Sequence, residues 1–408
     1  MAAESKGPLA GVKVVELGTL IAGPLCSRML ADFGADVIKI EAPDGGDQLR
    51  QWRKMYPSTG SGQATATSLW WYTQARNKKS LTLNLRSAEG QEIVRKLTED
   101  ADIVVENFRP GALEKWNIGW PQLSALNPRL VMVRLSGFGQ DGPYRDRPGF
   151  GVVAESMGGM RYVTGYADRP PVRLGISIGD SIAALHGVIG AMMALHQRNA
   201  NGGKGQYVDV ALYEAVFNMM ESLVPEFDVL GFKRERAGNE LPGITPSNTY
   251  PTRDGKFVII GANNDSIFKR LMGVMGREDL AGDPGLATNA GRAPRARELD
   301  QAIEAWTREH DLATLLEALE RAEVPSGRVY DAEDIVNDTH YAARRMIEQW
   351  KLPDGTPMKI PGVVPKLSET PGATRWLGPR LGEHTREILQ GLGYGESQQK
   401  DLKQRGVI

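Results

Sequence analysis

The sequence contains few of the residues that build cross-links and metal sites. Its 408 residues include one cysteine, Cys26, and five histidines. A lone cysteine excludes a disulfide within the chain and suits a reducing compartment. Cys26 is either a catalytic thiol or a small buried hydrophobe, and we favour the second role. The histidines are scattered without a close pair at ligand spacing, so we predict no bound metal.

An excess of one charge and long apolar runs are also lacking. The net charge of −1 creates no long-range field for nucleic acid or an anionic membrane, so we predict neither partner. The start, "MAAESKGPLAG", lacks the basic and apolar regions of a signal peptide, and we expect a cytoplasmic protein. The most apolar stretch, 182–195, is shorter than the ~20 residues that span a bilayer, so we interpret it as a buried helix.

What the first half does contain is a regular alternation of two patterns. Helical segments separate short β-rich runs at 12–17, 36–41, 80–85, 102–108 and 130–136. Such alternation predicts an α/β fold with a largely parallel sheet covered by helices on both faces. In an open sheet of this kind, ligands bind beyond the carboxyl ends of the strands.

The second half changes character. Two strand patterns meet at a turn at Asp254-Gly255, and helical patterns follow them. This order predicts a smaller α+β domain at about 226–330. The tail ends in helical patterns that we expect to return to the first domain.

Gly137, Gly139 and Gly142 have the spacing of a dinucleotide-binding fingerprint. That fingerprint works only when its last glycine opens a helix whose N-terminus holds the pyrophosphate. Pro143 follows instead, and the residues after it are typical of turns. We therefore predict that NAD does not bind here.

Asp180 follows a glycine at the start of the long apolar helix. Aspartate is a preferred N-cap, which contributes ~1 kcal/mol, and spacing alone favours that role. The alternative is a carboxylate nucleophile, because a helix N-terminus stabilises charge on an attacked carbonyl. Gly179 would then allow a substrate to approach closely.

Several motifs, taken in order, favour the nucleophile over the N-cap role for Asp180. They are "LAGVKVVELGTLIAGP", "GADVIKIEAPDGGD", "RNKKSLTLNLRS", "ADIVVENFRPGALEK", "GFGQDGPYRDRPGF", "GDS", "GGKGQYVDVALYEA" and "LGEHTREIL". Over nearly the whole chain the sequence resembles the class III CoA-transferases of the CaiB/BaiF type. The resemblance implies transfer of CoA from an acyl-CoA to a carboxylic acid, with Asp180 forming an anhydride and then an aspartyl-CoA thioester. It implies no permanently bound cofactor, since coenzyme A and its esters are substrates.

The resemblance also implies a set of CoA contacts. They are Ile21, Ala22, Leu83, Arg86, Asn107, Phe108, Arg109, Lys115 and Phe150. Arg86 and Lys115 suit the CoA phosphates, although each would be read as a solvated surface cation without the resemblance. For Phe108, a buried position in the core is an equal alternative to a contact with CoA.

Departures from related subclasses narrow the expected reaction. Ile21 stands where formyl-CoA:oxalate enzymes carry glutamine. Phe150 and Asn264 stand near the histidine and glutamate of α-methylacyl-CoA racemases, and neither residue shuttles a proton. The pattern is most similar to transferases that use succinyl-CoA with a dicarboxylate such as glutarate, itaconate, malate or citramalate. Arg173 is a candidate for holding a distal carboxylate, with a surface salt bridge as the alternative.

Two other classes stay open at this point: an acyl-CoA racemase or isomerase on the same scaffold, and a non-catalytic acyl-CoA-binding relative. The family fold implies a Rossmann-like large domain built from both chain ends, a small domain, and an interlocked homodimer. Mapped onto this chain, the large domain takes 1–205, a linker helix 206–225 and the small domain 226–330. Residues 331–408 then form a linker and the part that returns to the large domain.

Overall fold

The computed structural model describes residues 7–57 and 66–408. Its strands are β1 Lys13–Glu16, β2 Asp36–Glu41, β3 Met55–Tyr56, β4 Thr67–Ser68, β5 Lys78–Thr82, β6 Ile103–Glu106, β7 Val131–Ser136, β8 Tyr207–Ala211, β9 Ser247–Pro251, β10 Phe257–Gly261, β11 Ser326–Arg328, β12 Ile347–Lys351 and β13 Pro357–Pro361.

The helices alternate with these strands in the first half and dominate the second. They are α1 Ala22–Asp32, α2 Leu69–Gln74, α3 Ala88–Glu99, α4 Ala112–Lys115, α5 Trp120–Leu126, α6 Gly151–Met157, α7 Met160–Val163, α8 Ile178–Ala200, α9 Leu212–Phe217, α10 Leu223–Leu230, α11 Asp265–Val274, α12 Glu278–Ala281, α13 Asn289–Arg292, α14 Ala296–Thr307, α15 Leu312–Arg321, α16 Ala332–Asn337, α17 Thr339–Ala343, α18 Thr385–Gly391 and α19 Glu396–Gln404. Short 3₁₀ helices cover Gln48–Gln51, Pro284–Leu286 and Ala293–Arg295.

The predicted parallel sheet is confirmed and has six strands. Their order is β5-β2-β1-β6-β7-β8, and every neighbouring pair runs parallel. Numbered along the sheet's own strands, this is the 3-2-1-4-5-6 order of Rossmann folds. The order reverses between β1 and β6, so the carboxyl ends of those two strands are where such a sheet receives its ligand.

Each face of the sheet buries its own core because successive side chains point to opposite sides. Val14 and Val131 pack with α1 and α8 on one face. Their neighbours Val15 and Met132 pack on the other face with α3, α5 and the C-terminal helices. Strands buried on both sides read as nearly continuous apolar runs, which is what β6 and β7 show.

Contacts divide the chain into two compact units. The larger comprises Met1–Met160, Leu174–Val224 and Ala342–Ile408, so it draws on both chain ends. Its C-terminal part supplies the β12–β13 hairpin and helices α18 and α19, while the parallel strands all come from 13–211. Leu389 and Leu402 complete the second core.

The smaller unit comprises Arg161–Arg173 and Pro225–Tyr341. Its antiparallel sheet has the order β11-β10-β9, and β9 and β10 form the hairpin expected around Asp254-Gly255. Helices α11, α14 and α15 bury their apolar faces with this sheet. The contacts thus assign Arg161–Arg173 to this unit, although the sequence motifs place them within 1–205.

Two elements differ from the sequence predictions. Residues 206–225, expected as a linker helix, begin with strand β8, because Val208 and Val210 alternate with polar residues and pack beside β7. Helix α8, expected to be buried, is buried on one side only. Its composition and length would also allow it to cross a membrane. This is weak evidence for a membrane span, because a helix that packs in a core has the same properties.

Candidate active site

A cavity of about 680 Å³ lies at the carboxyl ends of β1, β2, β5 and β6, where the strand order reverses. Among the residues predicted to contact CoA, it brings together Leu83, Arg86 and Phe108. Phe108 is half-buried and packs edge-on against Trp116, with ring centroids 5.4 Å apart. It is therefore both a packing residue and part of the cavity wall.

Asn107 lies beside this cavity and fixes the loop that follows β1. Its Oδ1 accepts a hydrogen bond from the Thr19 N–H at 2.7 Å, and its Nδ2 donates to the Thr19 carbonyl at 2.9 Å. The next residue, Leu20, has a φ of 64°, which is strained for a residue with a side chain. The carboxylate of Asp47 holds it there by accepting from the Leu20 N–H at 3.0 Å. The loop is thus fixed by side chains from two other segments.

A buried network of charges supports this loop from below. Glu16 accepts from Lys39 at 2.7 Å and from Lys78 at 2.6 Å, and all three side chains are at most 1% exposed. Lys39 also pairs with Asp47 at 2.7 Å and donates to the Gly18 carbonyl at 2.9 Å. Burial pushes the pKa of Glu16 up, but the two lysines outweigh it and hold that pKa below its ordinary value. Two cations and two anions leave the network neutral.

The predicted cationic contacts lie at the surface. Arg86, Arg109 and Lys115 are exposed, and no ion pair joins any of them to another residue in 7–57 or 66–408. Arg86 lines the cavity. Ile21 and Ala22, by contrast, are buried at the start of α1, where only their backbone can face a ligand.

Asp180 occupies the first turn of α8. The N-cap of this helix is Ser177, so Asp180 is its third residue and not its cap. Its side chain is half-buried and faces Gly151, the first residue of α6. A Cβ atom on Gly151 would lie 2.8 Å from Asp180 Cγ and closer still to Oδ2. Only glycine leaves room for the carboxylate in this position.

Other glycines shape the same corner. Gly137, after β7, approaches Gly149 so closely that a Cβ on Gly137 would lie 2.8 Å from the Gly149 Cα. Phe150, predicted to contact CoA, caps α6 beside Gly151 with a side chain that is 65% exposed. The "GFGQDGP" loop continues without a helix until α6, as its turn-forming residues predict. The structure therefore places Phe150 next to the Asp180 corner.

A shared core connects this corner to the cavity. Ala22 of α1, Ala154 of α6 and Ile182 of α8 belong to one buried cluster. The first turns of α1 and α8 are thus held by the same packing. Outside this region, Arg173 is exposed in the smaller unit, and Asn264 caps α11 by accepting from the Ser266 N–H.

Some functional neighbours were missed by sequence reasoning. Glu16 and Lys39 lie in runs predicted as strands, and Lys78 lies just before the predicted run at 80–85. A charged residue in a strand covered on both faces must find a partner. A charged residue in such a strand is therefore a signal, present in the sequence, of a buried ion pair. Cys26 is fully buried, and burial raises the pKa of its thiol to about 12, as expected of a packing residue.

Known proteins are similar to this chain over nearly its whole length. The model of CoA-transferase family III matches residues 9–385. The chain belongs to CoA-transferase family III. This family transfers CoA and takes CoA thioesters as substrates, so the chain is a CoA-transferase.

Relatives within family III are similar from end to end. A succinyl-CoA–D-citramalate CoA-transferase of Chloroflexus aurantiacus is 49% identical over 98% of both chains. The beta subunit of a succinyl-CoA–L-malate CoA-transferase from the same organism is 41% identical, again over 98% of both. The crystal structure of a CaiB/BaiF family protein from Brucella suis superposes with a TM-score of 0.82 at 34% identity, covering 95% of this chain and 99% of that one.

Proposed function

We propose that this family III enzyme moves CoA from succinyl-CoA to a small dicarboxylic acid, with Asp180 as the nucleophile. The observation that carries the proposal is the position of Asp180 in the first turn of α8, against Gly151, whose missing side chain leaves room for the carboxylate. The names of similar proteins, which use succinyl-CoA, support the donor. A cytoplasmic location is part of the proposal.

In the first half of the reaction, a carboxylate oxygen of Asp180 attacks the thioester carbonyl of succinyl-CoA. The C–S bond breaks, and CoA leaves as a thiolate from a mixed anhydride. The thiolate then attacks the aspartyl carbonyl, so the anhydride C–O bond breaks and succinate leaves. The enzyme retains an aspartyl-CoA thioester, which conserves the energy of the original thioester.

The second half reverses these steps with the acceptor. A carboxylate of the acceptor attacks the aspartyl thioester and releases the CoA thiolate. The thiolate attacks the acceptor carbonyl of the new anhydride, which frees the Asp180 carboxylate and the product acyl-CoA. The helix N-terminus of α8 offers positive potential where negative charge develops on the attacked carbonyl.

The cavity at the strand ends is where we place CoA. Leu83 and Phe108 offer apolar surface, while Arg86, Arg109 and Lys115 offer cations for the phosphates. Ile21, Ala22 and Asn107 form the backbone turn beside it, and Phe150 lies at the Asp180 end. Arg86→Gln should raise the KM for succinyl-CoA ~10-fold with kcat nearly unchanged. Lys400→Gln, on exposed α19, is the control and should leave both constants unchanged.

For the acceptor we propose a C4 or C5 dicarboxylate carrying a hydroxyl group, such as citramalate or malate. Similar proteins carry these acceptors in their names. Arg173 stays our candidate for the distal carboxylate. Arg173→Gln should raise the KM of a dicarboxylate acceptor while sparing a monocarboxylate of the same length, because only the former has the second charge.

We also propose that the enzyme is an interlocked homodimer. Leu185, Ile189, Met192 and Met193 lie on one side of α8 and are between 37% and 67% exposed in a single chain. An apolar stripe of this kind is typical of a surface that a partner covers. Light scattering should give twice the mass of one chain, and a monomer that is fully active would contradict the proposal.

Trapping the intermediate tests the covalent mechanism without knowledge of the acceptor. The pure protein is incubated with succinyl-CoA and quenched with hydroxylamine or borohydride, and peptides are analysed by mass spectrometry. We expect a hydroxamate or reduced residue at Asp180, absent from Asp180→Ala and Asp180→Asn. Both variants should lose at least ~10⁴-fold in kcat, because the covalent route is closed. Binding of succinyl-CoA with no modification of Asp180 would overturn the nucleophile.

A further inference from the structure

One buried carboxylate next to Asp180 has no role in the covalent cycle described above. Glu155 lies on α6 and is 1% exposed. Its Oε1 accepts a hydrogen bond from the backbone N–H of Gly179 at 3.5 Å. Its Cγ lies 3.1 Å from the point that a Cβ on Gly179 would occupy. Glu155 is therefore packed against the residue that precedes the nucleophile.

Helix α6 presents two residues to the first turn of α8. Gly151 faces the Asp180 carboxylate, and Glu155, one helical turn later on the same side, faces Gly179. The close contact with Gly151 and the hydrogen bond from Gly179 together fix where α8 begins relative to α6. This pair of contacts contributes to the position of Asp180.

The charge of Glu155 has a second consequence, for the equilibrium of the first half-reaction. Before the reaction, Asp180 carries a negative charge, and the Glu155 carboxylate packs against Gly179, the residue that precedes it. After succinate has left, Asp180 is a neutral thioester, and the charge it carried has departed on succinate. Like charges close together disfavour the doubly ionised state. A negative charge carried by Glu155 would thus favour the acylated form of Asp180.

We propose that Glu155 is a positioning residue that holds the first turn of α8 and whose charge promotes loading of Asp180 with CoA. This inference rests on the proposed covalent role of Asp180. It predicts that the charge of Glu155, and not merely its bulk, affects the half-reaction.

Glu155→Gln tests the charge, because glutamine keeps the size and the oxygen that accepts from Gly179. We expect kcat to fall 10- to 100-fold while the KM for succinyl-CoA stays within 2-fold. At a fixed ratio of succinyl-CoA to succinate, the fraction of Asp180 trapped as thioester should fall ~10-fold. Glu155→Asp restores the charge and should recover most of the trapped fraction.

Asp32→Asn is the matched control for loss of a buried carboxylate. Asp32 pairs with Arg76 at the far end of α1, and both side chains are at most 3% exposed. It should lower stability and leave the trapped fraction unchanged. A wild-type level of trapping in Glu155→Gln would overturn the role of Glu155 while Asp180 stays the nucleophile. The trapped fraction could instead fall equally in Glu155→Gln and Glu155→Asp, in proportion to their loss of stability. That result would show that Glu155 has only a packing role. No trapping in the wild type would overturn both proposals.

Discussion

The two parts of the candidate site are built by opposite means. The loop beside the cavity at the strand ends is held by charged and polar side chains: Glu16, Lys39 and Asp47 below it and Asn107 beside it. The Asp180 corner is defined by glycines whose missing side chains make room. The loop is fixed by many side-chain contacts, whereas the Asp180 carboxylate fits because its neighbours have no side chains.

The difference matches what each region has to do in the proposed reaction. A CoA-binding loop must keep one backbone shape, and buried ion pairs are costly to rearrange, so they enforce it. A nucleophile must instead admit two acyl groups and a thiolate in turn, and this requires space next to the carboxylate. Substitutions in the first region should thus act on stability and binding, whereas those in the second should act on the chemistry.

The largest expected effect is on stability, from Glu16→Gln. This change leaves two buried lysines with one remaining carboxylate partner, so we expect a loss of about 3–5 kcal/mol in the free energy of unfolding. Urea unfolding of the full chain measures it. Glu387→Gln is the control, because Glu387 pairs with Lys79 at the surface and should cost no more than about 1 kcal/mol. Similar losses in both variants would show that the buried ion pairs below the loop contribute no more to stability than a surface pair.

Next comes Gly151→Ala, which adds one methyl group against Asp180. The backbone of Gly151 is in the first turn of α6 and has no positive φ, so alanine fits the chain itself. Displacing the carboxylate by about 1 Å should lower kcat ~100-fold with little change in unfolding. Gly273→Ala in α11, where nothing lies within 4 Å of the added methyl, should leave kcat unchanged. Full activity of Gly151→Ala would refute the tight fit.

A smaller effect is expected from Asn107→Ala, which removes both hydrogen bonds to Thr19. The KM for succinyl-CoA should rise ~10-fold, since the loop is no longer held in the shape that receives CoA. Asn127→Ala removes three hydrogen bonds of a buried side chain, two donated to the Thr98 and Ala101 carbonyls and one accepted from the Arg129 N–H. We expect Asn127→Ala to lower the free energy of unfolding about as much as Asn107→Ala does, and to leave the KM for succinyl-CoA unchanged. An equal rise in KM for Asn127→Ala would show that a loss of stability elsewhere in the fold is enough to raise KM.

The smallest effect on activity is expected at Cys26. Cys26→Ala should retain transferase activity, because the thiol is fully buried in the core. With a pKa of about 12 in place of 9, the native thiol should react with iodoacetamide at pH 8 ~1000-fold more slowly than an exposed cysteine. Rapid labelling of the active, folded enzyme would contradict this burial.

The same thiol predicts a pH dependence of stability. Because the native pKa lies above the unfolded one, the contribution of the protonated thiol is fully present below pH 9 and is lost as the pH rises from about 9 towards 12. The stability of the wild type relative to Cys26→Ala should therefore fall by about 1 kcal/mol between pH 8 and pH 10. Urea unfolding at both pH values gives the difference, and an unchanged difference would argue against burial of the thiol.

Sequence periodicity was enough to predict the parallel sheet, because strands such as β7 are mostly apolar and alternate with amphipathic helices. It missed β8, where short alternation stands between a helix and another helical pattern. Asp180 could be singled out by its place at a helix start, but its neighbour Gly151 could not. Which glycine faces which carboxylate depends on how α6 packs on α8, and local patterns carry no information about that contact.

The return of the chain to its first sheet has a consequence for synthesis. The last parallel strand ends at Ala211, but the second core also needs Leu389 and Leu402. At about 5–20 residues per second, a ribosome takes roughly ten seconds or more to add that intervening stretch. During that interval α3 and α5 cover one face of the nascent sheet without α18 and α19, and the smaller unit is completed at Tyr341 before those helices are made. The later unit is thus free to fold before the earlier one, and the unfinished sheet is a surface that a chaperone would recognise.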